Sequence, residues 1–234
     1  MGLIESLVRK TDSKIVMMIL DGLGGFPGAD GRSELEVART PNLDRLASEG
    51  VLFSNAYSSI PSCLPARAAI LTGKSPWAHG MLGYYPIPER YTYELPRMFT
   101  DAGYRTHAVG KNHFNPIRNK HGYETVILEE GWHSVIDSED KGDYQLWFEK
   151  VAPGKDMNAT GLHYTDHRGG RNFLYADSLH PTYWTAQRAI DFLECYNEDR
   201  PWLLKVSFQR PHPPFDPPQR WHAHYAGSNY PMPL

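Results

Sequence analysis

Short apolar runs separated by stretches of helical pattern constrain this chain more than any other feature of its sequence. Ile15 to Leu20 is unbroken and apolar, too short for a buried helix and long enough for a central strand. Val51 to Tyr57, Tyr104 to Val109 and Trp202 to Phe208 read as further strands. Between them, Thr40-Pro41 opens a helix that Gly50 closes, and Thr92 to Ala102 reads as a second helix that an internal Pro96 would kink. Asp143 to Val151 and Thr182 to Tyr196 are also helical, the latter with Ala186, Ala189, Ile190 and Leu193 on one face. Such alternation predicts an α/β fold with a mostly parallel central sheet and helices on both faces. At 234 residues, the chain suits one large domain over residues 14–234, with 1–13 as an N-terminal extension. The polar, aromatic text from Glu129 to Pro181 is loop-like and long enough to overhang a site.

Open α/β sheets bind ligands beyond the carboxyl ends of their strands. Asp21 directly follows the first strand, Lys111 and His113 follow the strand ending at Val109, and His212 follows the strand ending at Phe208. Cys63 follows the second expected strand. Singly, each has a plainer reading: Asp21 as a turn cap, Lys111 as a solvated lysine, His113 and His212 as structural histidines. Their common placement argues for a site. His79, His121, His167 and His180 are left as structural or undetermined, Glu129-Glu130 and Asp137 to Asp143 are taken as solvated faces, and Cys195 as a small buried apolar residue.

The net charge of -3 gives no case for nucleic acid or an anionic membrane, so any anion site must be local. Two cysteines make no disulfide framework, and no stretch is long enough to span a bilayer. The first ten residues lack the basic-then-apolar order of a secretory signal, which leaves the cytoplasm as the default location.

Cys63-Leu64-Pro65-Ala66-Arg67 runs on into Ile70-Leu71-Thr72-Gly73. Pro65 suits the first turn of a helix, Ala66 to Leu71 favour its continuation, and Gly73 suits its end. Cys63 therefore opens a helix, where free N–H groups favour an anion, and Arg67 lies one turn further in. The pentapeptide resembles the signature of type I sulfatases. Thr40-Pro-Asn-Leu-Asp-Arg-Leu-Ala-Ser-Glu-Gly50, Gly110-Lys-Asn-His113 and Arg210-Pro-His212 are similar to further motifs of that family.

The resemblance implies the alkaline-phosphatase-like fold and hydrolysis of a small-molecule sulfate ester. It implies that a formylglycine-generating or sulfatase-maturing enzyme oxidises Cys63 to formylglycine, steadied by Arg67. Lys111 and His212 would bind sulfate oxygens and His113 would assist proton transfer. Asp21, together with position 63, would meet a divalent cation, usually calcium, with magnesium or manganese as substitutes.

Two departures stand out. Gly22 occupies a place where the family has an acid or an amide, and the later metal ligands lie beyond the matched region, as if the fold were cut before its C-terminal part. Leu20-Asp-Gly-Leu-Gly-Gly25 with Glu34 to Asp44 also resembles the opening of archaeal-type cofactor-independent phosphoglycerate mutases. Phosphate or phosphonate ester chemistry is therefore one alternative, and an inactive anion-binding fragment is another. The aromatic residues Tyr84, Tyr85, Trp132, Trp147, Tyr164, Tyr183, Trp184 and Trp221 are candidates for a ring-stacking wall or for ordinary core.

Overall fold

The computed structural model describes residues 12–25, 27, 30–131, 140–162 and 169–227. In chain order the elements are β1 (Lys14–Leu20), α1 (Glu34–Val37), α2 (Pro41–Glu49), α3 (Cys63–Thr72), α4 (Pro76–His79), α5 (Leu95–Asp101), β2 (Arg105–Gly110), β3 (Thr125–Leu128), α6 (Asp143–Val151), α7 (Pro181–Cys195), β4 (Trp202–Phe208) and α8 (Gln219–Tyr225). The strands form one parallel sheet in the order β1-β4-β2-β3. Trp202 at the start of β4 is level with Lys14 on one side and Arg105 on the other, so the three carboxyl ends finish together. That shared edge is where the polar residues gather.

Alternation along the strands sends side chains to two faces. Ala108 and Leu203 meet Leu64, Ala68 and Leu71 of α3, with Phe99 of α5 packed alongside. Val109, Leu204 and Val206 meet Ala189 and Phe192 of α7. Tyr144 and Phe148 of α6 then pack on Trp184 of α7 as an outer layer. Each fully buried aliphatic side chain contributes about 2 kcal/mol relative to exposure.

Four sequence readings are corrected. Val51 to Tyr57 forms no strand; Val51, Leu52, Phe53 and Tyr57 are all at least 75 % exposed. The sheet that pairs the other apolar runs offers this one no ladder partner. Helix α5 begins at Leu95, which puts Pro96 in its first turn, where a missing N–H leaves no gap and no kink. Cys195 ends α7 and is exposed; the side chains that pack on the sheet cluster at this end are Phe192 and Tyr196. Glu129 and Glu130 are buried, a consequence of β3, which the sequence reading did not anticipate. Residues 1–11 of the expected extension, Asp137, Trp132, Tyr164 and His167 lie outside the described residues. No helix among the described residues is long and apolar enough to cross a membrane.

Candidate active site

Helix α3 starts at Cys63, with Pro65 in its first turn and Gly73 closing it at a φ of 66°. Its Arg67 is buried and reaches across the sheet edge: Nη1 donates to the Lys111 carbonyl at 2.7 Å and to the Ser207 hydroxyl at 3.1 Å. Nη2 lies 3.3 Å from Asp21 Oδ1. The other Asp21 oxygen accepts from the Lys111 ammonium, which is wholly buried. Groups from α3 and from the end of β2 thus converge on the carboxylate that follows β1, and Ser207 of β4 braces Arg67. Burial alone would raise the Asp21 pKa, but Lys111 and Arg67 outweigh that and hold it below the ordinary value.

Two glycines make the approach possible. Gly110 has a φ of 92°, and a Cβ there would meet the Ser207 carbonyl oxygen at 2.1 Å. Only glycine lets β2 pass so close to β4 before turning into Lys111. Gly22 has a φ of 78°, and its missing Cβ would lie 3.1 Å from the His212 Cα. The residue that departs from the sulfatase pattern is therefore the one on which the His212 turn rests.

His212 senses the same cluster: burial first, then the Lys111 charge, lowers its pKa, with Asp21 opposing. Its Nδ1 bonds the Pro213 carbonyl at 2.9 Å. Its turn is pinned by Arg210, which grips Asp216 through two bonds of 2.7 and 3.0 Å. The same segment, with Tyr183, Phe215 and Trp221, lines an open cavity. His113 adopts a left-handed φ of 59°, and its amide donates to both Glu130 oxygens. Cys63 is a free, half-buried thiol joined to the cluster through its helix and Arg67.

Sequence reasoning missed a second buried tier. Glu130 accepts the Asn112 amide at 2.7 Å, and Lys205 Nζ donates to Asn112 Oδ1 at 2.7 Å. Burial raises Glu130 and lifts Glu129 to about 7, while burial and then Arg67 lower Lys205 to about 7. One signal was available: Lys205 interrupts a run of buried strand residues, and a lysine there needs a partner. Three of the remaining histidines have hydrogen-bond partners within the fold. His180 caps α7 by accepting the Thr182 amide, His121 bonds Glu94, and His79 accepts the Met81 amide. Of the aromatic candidates, Trp184 is core, whereas Tyr84, Tyr85, Tyr183 and Trp221 are exposed.

A parallel sheet between two helical layers, with a cysteine-headed helix and a cation pair at its carboxyl edge, defines an α/β fold of the alkaline-phosphatase type. The sulfatase family model matches residues 15–233. An arylsulfatase from Clostridium perfringens is 38% identical over 232 residues, covering 94% of this chain and 47% of that protein. The N-acetylgalactosamine-6-sulfatase of Homo sapiens is 30% identical over 222 residues, covering 86% and 40% respectively. Among solved structures, the phosphonate monoester hydrolase of Agrobacterium radiobacter superposes with a TM-score of 0.70 at 20% identity, covering 94% of this chain and 45% of that one. A protein in complex with its substrate D-glucosamine-2-N,6-O-disulfate gives 0.64 at 22%, covering 94% and 39%. These two establish the fold alone. The chain belongs to the sulfatase family. It spans about half or less of the length of the curated relatives it matches.

Sulfatases generally use a metal ion and a formylglycine. A half-buried thiol at a helix N-terminus fits the second. The first does not fit the described residues. Both Asp21 oxygens face Lys111 and Arg67, and no group of three or more His, Cys, Asp or Glu side chains among the described residues is placed to hold a metal.

Proposed function

We propose that this chain carries the nucleophile and the anion-binding half of an enzyme that hydrolyses a sulfate monoester of a small molecule. The observation that carries the reading is the buried Lys111–Asp21–Arg67 cluster beside the helix that Cys63 heads. Two cations against one carboxylate leave one positive charge, which matches the single charge of a sulfate monoester. A phosphate monoester carries roughly -1.5 to -2 near neutrality and is matched less well.

Lys111, with His212 beside it, would receive the sulfate oxygens. Asp21 accepts from the ammonium and aims it, and Arg67 ties helix α3 to the Lys111 backbone, so the donors need no rearrangement as charge develops. His113 would take and return a proton at position 63. Formylglycine, formed from Cys63 by a maturing enzyme, would supply a hydrated aldehyde with one hydroxyl to attack sulfur and a second to release sulfate. A calcium ion, or magnesium or manganese in its place, finds too few ligands here, since Asp21 and Cys63 fall far short of about six to eight oxygens.

The test uses the protein co-expressed with a maturing enzyme and assayed on paired aryl sulfate and aryl phosphate esters. Sulfate turnover should exceed phosphate turnover, and Cys63→Ala should abolish it. Equal turnover by Cys63→Ala, or a preference for phosphate, would overturn the proposal.

A further inference from the structure

His113 is held from two directions, by groups from two separate segments of the chain. From below, Glu130 fixes its backbone amide. From above, the Tyr84 hydroxyl lies 3.2 Å from Nε2, and the two rings meet edge to face at 73° with centroids 5.8 Å apart. Tyr84 itself is 57% exposed, so core packing does not explain where its side chain goes.

The segment that carries Tyr84 is built to present it. Met81 and Ile87, on either side, are each 1% exposed and anchor the loop in the core beneath α3. Between these anchors the Tyr85 hydroxyl donates to the Gly80 carbonyl at 2.8 Å and accepts the Leu82 amide at 2.9 Å. The loop is thereby closed on itself. A closed loop with two buried feet holds its outermost phenol at a set height, and here that phenol meets a histidine of the candidate site.

We infer that Tyr84 is a positioning residue for His113, and this rests on the sulfate ester reading given above. The His113 Nε2–H donates to the Tyr84 hydroxyl, which leaves Nδ1 as the basic nitrogen that takes the proton and fixes the plane of the ring. A histidine that must take and return one proton in each cycle works best in a single tautomer and orientation, because every wrong tautomer is an idle molecule. Tyr84 acts through His113 and not on sulfur, so its contribution falls on turnover rather than on affinity.

The Tyr84→Phe variant removes one oxygen from an exposed side chain and keeps the ring contact. In 15N-labelled protein the His113 imidazole nitrogens should show one tautomer in the wild type and a mixture in Tyr84→Phe. With the matured enzyme and an aryl sulfate, kcat should fall about tenfold, the value of one hydrogen bond, with KM unchanged. Identical His113 nitrogen shifts in the two proteins would overturn the inference. So would a change confined to KM, which would make Tyr84 a substrate contact. The nitrogen shifts need no turnover, so they decide the role of Tyr84 even if the matured protein fails to hydrolyse any sulfate ester.

Discussion

β4 and β1 lie side by side in register, yet β4 is buried at every position but its last while β1 alternates between exposed and half-buried. β4 has a strand on each side and helices on both faces. Among the described residues β1 has one neighbour, and its Val16 and Met18 are exposed. The difference shows where this fold can keep charge. Lys205 and Ser207 point from the central strand into the second buried tier and the site, held by Asn112 and Arg67. β1 contributes to the site only through Asp21, the residue just past its end, where Lys111 and Arg67 close over it. Constraint is spread along β4 and concentrated at the tip of β1.

The sharpest way to break this contrast is Asp21→Ala. Removing the carboxylate leaves two buried cations facing each other, and the expected loss is about 4 kcal/mol in urea unfolding. The pH dependence has a definite sign. The Asp21 pKa is held below 3.8, so its contribution is present above that value and is lost as pH falls through the folded pKa. Combining Asp21→Ala with Lys111→Met should recover part of the loss, and simple additivity would deny the coupling.

Next comes Leu204→Ala in β4, a wholly buried position, with an expected cost of about 3 kcal/mol. A pH-dependent effect of up to similar size belongs to Glu129→Gln. The folded pKa of Glu129 is about 7 against 4.5, so the wild type loses stability as pH rises between those values. The glutamine variant escapes that loss, and its advantage should grow by up to about 3 kcal/mol from pH 4 to pH 8. Val16→Thr in β1 should stay within about 0.5 kcal/mol. Equal costs for Val16→Thr and Leu204→Ala would erase the distinction between the two strands.

Much of this was legible in the sequence, for reasons that differ by residue. Trp202 to Phe208 marks its strand because a buried parallel strand leaves a long apolar run, and Ile15 to Leu20 shows the same unbroken run although none of its residues is fully buried. Helix α3 was legible from Pro65 and Gly73, which act locally. Val51 to Tyr57 misled because an apolar run becomes a strand only where a neighbour supplies a ladder. Glu129 and Glu130 were misread through the same gap in reverse. β3 is short and its pattern weak, so two acids at its carboxyl end passed for a solvated pair. The strand-end rule that singled out Asp21, Lys111 and His212 would have selected them had Thr125–Leu128 been recognised. The contact between Tyr84 and His113 was out of reach, since no local pattern encodes where a closed loop aims its outermost ring.

The most direct measurement is the mass of the peptide spanning Cys63, taken from protein produced alongside a sulfatase-maturing enzyme. The account predicts a fraction carrying an aldehyde, lighter by the replacement of CH2–SH with CH=O and reactive towards a hydrazine. A thiol at that position in every molecule, while a known sulfatase in the same cells is converted, would contradict it.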